Sequence, residues 1–337
     1  MLYPLKLSPY FRHGVQTPWG GRKLADLFGK AIPDDRTGES LEISALPGMQ
    51  SRIENGELNG RPLGAAVEIW GEALTGLKEP GFPLLVKLID ARERLSVQVH
   101  PGDGYAGSRE GKRGKTEAWV VLAAPCGAQL VYGVEAGGRA LKDIVAEGRL
   151  ESALNWVDVQ PGDVLYIPHG MVHAIGGELL MYEIQQSSDV TYRFWDWGRV
   201  DEAGRGRALH TEQALDVTRP ELKLPKIAGA TLLVRGGSAT YYISNKYFEL
   251  KRLNVADDMP LDGGRMLLIT ALGPCALTWP GGGMALEAGG SALVPAALEG
   301  AVLKGRVSAL CATMPDREAL KRSLGYRAGA VAGLLEE

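Results

Sequence analysis

The chain has 337 residues, of which 45% are apolar and 23% charged, and its 45 glycines and 19 prolines follow no fixed period. That composition excludes fibrous and disordered classes and fits a soluble, turn-rich β protein of one or two domains. A net charge of −3 leaves no electrostatic footprint for nucleic acid or anionic membrane, and no apolar run approaches the roughly 20 residues of a spanning helix.

The N-terminus, Met1-Leu2-Tyr3-Pro4-Leu5-Lys6-Leu7, has neither a basic n-region nor an apolar h-region, so a cytoplasmic location is expected. Cys126, Cys275 and Cys311 are widely spaced and odd in number, which reads as isolated buried thiols in a reducing compartment. Trp19-Gly20-Gly21-Arg22-Lys23-Leu24 reads as a tight turn. Its glycines would also let backbone amides approach a phosphate, but no Gly-Lys-Ser/Thr follows and it is not a P-loop. Gly38 to Ser44 alternates like a strand, with Glu39 and Glu42 expected as solvated carboxylates. Residues 62–77 have helical spacing, and Phe82 to Asp90 reads as a buried strand.

Leu95-Ser96-Val97-Gln98-Val99-His100-Pro101-Gly102-Asp103 is the most informative stretch. Leu95, Val97 and Val99 alternate with Ser96, Gln98 and His100, so one strand face presents all three polar side chains together. A glutamine carbonyl and an imidazole two residues apart on a strand reach one cation, and Pro101-Gly102 ends the strand in a turn. A Gly- and charge-rich loop is expected over residues 102–114. Lys115 to Leu122 follows as a strand with Lys115, Glu117, Trp119 and Val121 on one face. Glu117 supplies a carboxylate ligand, the plainer reading being an ion pair with Lys115. Residues 139–154 predict a surface helix that ends at Asn155-Trp156.

From Val159 to Gly176 a Pro161-Gly162-Asp163 turn feeds a strand that ends at Pro168 and delivers His169 and His173. Pro168 and Gly170 argue against a helix, so one histidine points inward. His173, which opens the next apolar strand, is that candidate, and His169 is assigned to the rim or to the layer behind the ligands. His13 and His210 read as structural. Leu179 to Gln186 alternates again, with Met181, Glu183 and Gln185 on one face. In Tyr192-Arg193-Phe194, Arg193 points opposite to the aromatics, and an inward arginine requires an anion. A structural salt bridge with Glu183 or Asp189 is the alternative. Beyond residue 225 strand-like runs alternate with Gly/Pro turns, and Gly289 to Ala296 repeats the shape of Gly162 to His169. The same register sets Ala296 against His169 and Gly300 against His173, so the second copy lacks metal ligands. Asp316 to Glu337 predicts helix broken at Gly325.

Strand–turn–strand modules with Gln-x-His, a glutamate on a neighbouring strand and a histidine after a Pro-Gly turn describe a cupin-type barrel. The expected fold is mainly β: two cupin-type (jelly-roll) β-barrels with a few short helices, the second barrel metal-free. Residues 1–225 form the catalytic domain with an N-terminal segment and helical insertions, 226–315 the degenerate domain, and 316–337 the tail. One carboxylate, two imidazoles and an amide carbonyl suit zinc with room for water or substrate. The resulting charge of about +1 favours Lewis-acid stabilisation of an enediolate.

Gln98-Val99-His100-Pro101, Gly114-Lys115-Thr116-Glu117, the Ile167–Ala174 segment and Ser188–Arg193 resemble the motif set of type I mannose-6-phosphate isomerases, in particular their short bacterial form. The resemblance runs from Trp19 to about residue 315. It implies an isomerase of mannose metabolism that interconverts mannose 6-phosphate and fructose 6-phosphate through a cis-enediol. It implies one Zn2+ per chain held by Gln98, His100, Glu117 and His173, with Arg193 as the essential active-site arginine and Lys115 and Glu183 lining the pocket. Lys115 and Arg193 are candidates for holding oxyanion or phosphate, Glu183 for proton transfer with a zinc-bound water as its competitor, and Ser96 for substrate contact. Leu41, in place of an aromatic, and His169, in place of a small residue, depart from the family pattern. The partner is a small sugar phosphate, without nucleic acid or membrane, and the protein is a monomer or homodimer. The rival readings are a cupin Fe(II) oxygenase using His100, Glu117 and His173, a non-catalytic sugar-phosphate-binding cupin, and an isomerase of unphosphorylated sugars. Gln98, Lys115 and Arg193 count against the oxygenase, and the full ligand set counts against the sensor.

Overall fold

Strands Leu84–Ala91 and Leu179–Gln186 pair antiparallel along their whole length, and every residue in both is buried. In the computed structural model, which describes residues 2–335, they form the middle of a six-stranded sheet. Glu39–Ile43 and Tyr10–Arg12 extend it on one side, Glu117–Ala123 and Val164–Ile167 on the other. Both faces of this sheet are covered, which is why its central strands read as near-continuous apolar runs. Leu84, Val86, Leu88, Leu180, Tyr182 and Ile184 pack toward a second large sheet. The alternate positions carry Ile89, Trp119 and Met181 and, on the same face, the polar Lys87, Glu117 and Glu183. A five-stranded sheet lies against that inner face. Its order is Tyr192–Trp195, Val97–Val99, His173–Ala174, Gln129–Val134 and Leu154–Asp158. With 37% strand and 19% helix the chain is mainly β.

The C-terminal part repeats this strand order. Ser291–Val294, Leu267–Ala271, Val307–Thr313, Glu249–Val255, Gly237–Ser244 and Ala230–Val234 follow one another as the six strands of the first sheet do. Met259–Pro260, Val302–Lys304, Cys275–Trp279 and Gly282–Leu286 repeat four strands of the second. Gly162–His169 and Gly289–Ala296 therefore flank equivalent strands. Pairing places Met259, Leu267 and Leu303 where the first module has Gln98, Glu117 and His173. Leu303, rather than Gly300, faces the position of His173, because the connection after Val294 is longer than the one after Ile167.

The N-terminal segment, expected with the first module, sends two strands into the sheet of the second. Leu5–Ser8 pairs with the strand Ser291–Val294 and with Arg52–Ile53, and Leu5, Leu7 and Ile53 join the core between the two large sheets. Helices Leu63–Trp70 and Glu72–Thr75 occupy the expected region. Residues 102–114, expected as loop, contain the helix Asp103–Glu110, which buries only Ala106 and so has no apolar periodicity to read. The helix expected over 139–154 is two short pieces, Leu141–Ala146 and the 3-10 turn Leu150–Ala153, and Leu154–Asp158 then pairs as a strand with Gln129–Val134. The tail forms the helix Arg317–Leu324, capped by the Asp316 side chain accepting from the Ala319 amide and ended at Gly325. Residues 336 and 337, within the expected tail, lie outside the described residues. Of the cysteines expected to be buried, only Cys311 is; Cys275 is half-buried and Cys126 exposed, and all three are free. Among the described residues no helix is long and apolar enough to cross a membrane.

Candidate active site

His100, Glu117 and His173 are fully buried, and their ligating atoms all lie within 4.8 Å of one another. Their strands explain the convergence. Val97 and Val99 pack into the core outside the five-stranded sheet, which turns Gln98 inward. Gln98 pairs directly with His173 on the neighbouring strand, and its amide reaches His173 Nε2 at 3.3 Å. Glu117 opens its strand opposite Ile167. Each histidine is oriented by a main-chain carbonyl. His100 Nδ1 donates to Val190 O (2.9 Å) and His173 Nδ1 to Met171 O (2.8 Å), so both Nε2 lone pairs face the centre. Burial, then the Lys115 ammonium, push His173 down to about 3 and His100 well below the usual histidine value, which keeps both imidazoles neutral.

Glu117 lies 3.5 Å from His100 Nε2 and 3.4 Å from His173 Nε2. Burial, with the neighbouring Glu183, pushes its carboxyl up to about 7. Its Oε1 is buried without a hydrogen-bond partner. Two neutral imidazole nitrogens and a carboxylate oxygen that no proton satisfies are the donor set of a divalent cation. The Gln98 carbonyl supplies a fourth donor once its amide is turned, since the two ends of the group occupy equivalent volume. These residues fit zinc. Lys115 Nζ stands beside them, 3.0 Å from His100 Nε2 and ion-paired with Glu117, so the plainer reading of Glu117 is realised together with the histidines.

A cleft of about 250 Å³ opens beside this cluster. Arg12, Lys87, Lys115, Arg193 and Arg207 line it, against the carboxylates of Glu39, Glu183 and Asp189, so it suits an anionic ligand. Ser96, Gln98, Trp19 and Leu41 also border it. A buried chain of charges runs along one wall. Arg12 pairs with Glu39 (2.8 Å), and Lys87 pairs with Glu39 (3.7 Å) and Glu183 (3.2 Å). Trp119 Nε1 donates to Glu183 (2.9 Å). Burial alone would raise the Glu183 pKa, but Lys87, then Lys115, and the indole N–H hold it down to about 2.

Glu39 and Glu42, expected in solvent, are buried. Glu39 joins that chain, while Glu42 meets Lys30 at 2.8 Å and accepts from Ser40. Their strand is covered on both faces, a circumstance that local alternation does not report. Lys87, Arg12 and Arg207 escaped the sequence reading for a related reason. Lys87 and Asp90 are the two charges inside the otherwise apolar strand Leu84–Ala91, and that break in the pattern is the only local signal of Lys87.

Arg193 donates through Nε to Ser96 Oγ (3.2 Å) and through Nη1 to Ala208 O (2.8 Å). The salt bridge considered for it is not formed, since Glu183 pairs with Lys87 and Asp189 with Lys112. Burial, then the nearby Arg207, lower its pKa. Arg207 is held by a two-point contact with Asp196 (2.5 and 2.7 Å). His169 is not among the residues lining the cleft. It borders a separate depression with Asp103, Lys246 and Tyr247, and its main-chain N–H donates to Thr116 Oγ1. His210 braces Arg193, its main-chain N–H donating to Arg193 O (2.8 Å) and its Nδ1 accepting from Arg193 N (3.3 Å), and the exposed His13 meets Asp34. Gly20 belongs to a close turn, where a Cβ would stand 2.5 Å from the Gly38 nitrogen.

Residues 6–117 match the catalytic domain of type I phosphomannose isomerase. A mannose-6-phosphate isomerase of Streptococcus mutans is 40% identical over 247 residues, 72% of this chain and 77% of its own. The crystal structure of the mannose 6-phosphate isomerase from Bacillus subtilis superimposes with a TM-score of 0.86 at 31% identity, covering 92% of this chain and 99% of that one. A phosphomannose isomerase from Salmonella typhimurium, at 16% identity, shares the fold with a TM-score of 0.74 over 92% of this chain and 98% of its own.

Proposed function

The chain belongs to the type I mannose-6-phosphate isomerase family, and from that premise we propose that it interconverts mannose 6-phosphate and fructose 6-phosphate through a cis-enediol, with one Zn2+ bound. The observation that carries the reading is the buried, unpartnered Glu117 oxygen facing two neutral imidazole nitrogens beside a cationic cleft. We read the repeated strand order as two cupin-type barrels: a catalytic module to residue 225 and a second module over 226–315 that also receives N-terminal strands.

Gln98, His100, Glu117 and His173 would hold the ion. Bound there, zinc would supply Lewis-acid polarisation of the substrate. The chain's own groups do the rest. Lys115 sets an ammonium against the ligand cluster, where it stabilises negative charge developing on a sugar oxygen. Arg193, fixed by Ser96 and the Ala208 carbonyl, presents its guanidinium to the oxyanion or phosphate, with Arg207 adding charge nearby. Glu183 is ionised and is our candidate for moving the proton between C2 and C1. Lys87 and Lys115 keep it unprotonated, so it can accept the proton from one carbon and return it to the next.

The test is isomerase activity on mannose 6-phosphate before chelation, after chelation and after zinc restoration, with His173→Ala alongside. Zinc-dependent formation of fructose 6-phosphate, lost in the variant, is expected. Folded, zinc-loaded protein that leaves mannose 6-phosphate unchanged would sink the proposal.

A further inference from the structure

Lys115 stands in an irregular segment just before Glu117 opens its strand, so something other than a ladder must hold the backbone that leads into Glu117. Residues 113–116 are anchored at every step. Ser188 Oγ donates to Arg113 O (2.8 Å), Gly114 N donates to Asp103 Oδ1 (2.9 Å), and Lys115 N donates to Pro101 O (3.0 Å). Thr116 N donates to Gln186 Oε1 (3.0 Å). Two of these anchors share one group. Asp103 Oδ1 also accepts from Gln186 Nε2 (3.0 Å), which orients the Gln186 amide so that its oxygen meets Thr116. The fit is close, since a Cβ on Gly114 would stand 2.5 Å from Asp103 N. The other oxygen, Asp103 Oδ2, accepts from Tyr247 Oη at 2.8 Å. Tyr247 lies in the turn between strands Gly237–Ser244 and Glu249–Val255, in the second module. Burial acts against the ionised Asp103, yet the Gly114 amide, Tyr247 and Gln186 hold its pKa below the usual value.

We propose that Asp103 is a positioning residue that sets Lys115 and Glu117 through Gly114 and Gln186, and that the second module acts on the active site through the Tyr247–Asp103 hydrogen bond. The proposal rests on the reading that Glu117 binds zinc and Lys115 serves the isomerisation. It gives the second module a task in the first. Groups hydrogen-bonded directly to a metal's ligands are worth about 10- to 100-fold in metal affinity, and Asp103 acts one step further out, through Gly114 and Gln186, so a loss at the lower end of that range is expected.

The experiment compares Asp103→Ala, Asp103→Asn, Tyr247→Phe and the Asp103→Ala/Tyr247→Phe double variant. Each is measured for kcat and KM on mannose 6-phosphate, for zinc affinity by chelator competition, and for melting temperature. Asp103→Ala is expected to lower kcat about tenfold with KM little changed and to weaken zinc about tenfold. Asp103→Asn, which keeps an acceptor oxygen, recovers part of both losses. Tyr247→Phe lowers kcat about threefold alone and adds nothing once Asp103 is alanine. The proposal is overturned if folded Tyr247→Phe and Asp103→Ala proteins keep wild-type kcat and zinc affinity. It is equally overturned if Asp103→Asn recovers nothing and Tyr247→Phe acts with full effect on the Asp103→Ala background. A wild-type chain that binds zinc without isomerising the sugar would refute the functional reading, and the zinc affinities would still decide the role of Asp103.

Discussion

Replacing Lys87 by methionine keeps an unbranched buried side chain but removes the ammonium 3.2 Å from Glu183 and 3.7 Å from Glu39. Glu39 retains Arg12, whereas Glu183 keeps only the Trp119 N–H and the more distant Lys115. In the wild type its carboxyl is lowered from 4.5 to about 2, which corresponds to roughly 3 kcal/mol of stability at neutral pH. Breaking a buried pair from one side costs about 3–5 kcal/mol, so the two routes agree. The pH dependence follows from the direction of each shift. A carboxylate with a depressed folded pKa contributes stability that is present above about pH 4.5 and lost as pH falls through about 2. Burial would lower the Lys87 pKa, but Glu183 and then Glu39 raise it, so its contribution is present below its ordinary pKa and lost as pH rises through the folded value. In Lys87→Met, burial faces weaker opposition and raises the Glu183 pKa, so the variant recovers relative stability as Glu183 gains a proton on acidification. Urea denaturation should show a loss of about 3–5 kcal/mol near pH 8 and a smaller loss near pH 5. Adding Glu183→Gln should restore part of it, because no buried charge is left unpaired. A loss below about 1 kcal/mol that is the same at both pH values would refute this account of the buried chain.

Two further outcomes are expected. Chelation should lower the melting temperature and added zinc restore it, since ligand at about a thousandfold excess over Kd stabilises by about 4 kcal/mol. Scanning calorimetry checks this, and a transition indifferent to both treatments counts against a site at His100, Glu117 and His173. Arg193→Lys keeps the charge but cannot reach Ser96 and the Ala208 carbonyl together as the planar guanidinium does, so KM for mannose 6-phosphate should rise about tenfold, and about threefold in Ser96→Ala. Unchanged KM in both would remove Arg193 from substrate binding.

Much of the site's chemistry was legible because it is local. Alternation along Leu95–His100 puts Gln98 and His100 on one face whatever strand lies beside them. The Pro161-Gly162-Asp163 turn and Pro168 mark where the strand before His173 starts and stops. The similarity of Gly162–His169 and Gly289–Ala296 reflects strands that occupy equivalent places in two sheets of the same strand order. A mainly β chain followed from short alternating runs separated by glycine and proline.

Only the tertiary structure decided which charges are buried and what they meet. Glu39 and Lys87 read as ordinary polar interruptions until two sheets close over them. Leu5–Ser8 carries no mark of the sheet it joins. Helix Asp103–Glu110 is polar nearly all round and looked like loop, yet its first residue ties the active-site segment to Tyr247. The physical reason is one of range. Which face a side chain takes is set by the backbone two residues at a time, whereas strand partners and desolvated charges depend on apolar area buried jointly by segments far apart in the chain.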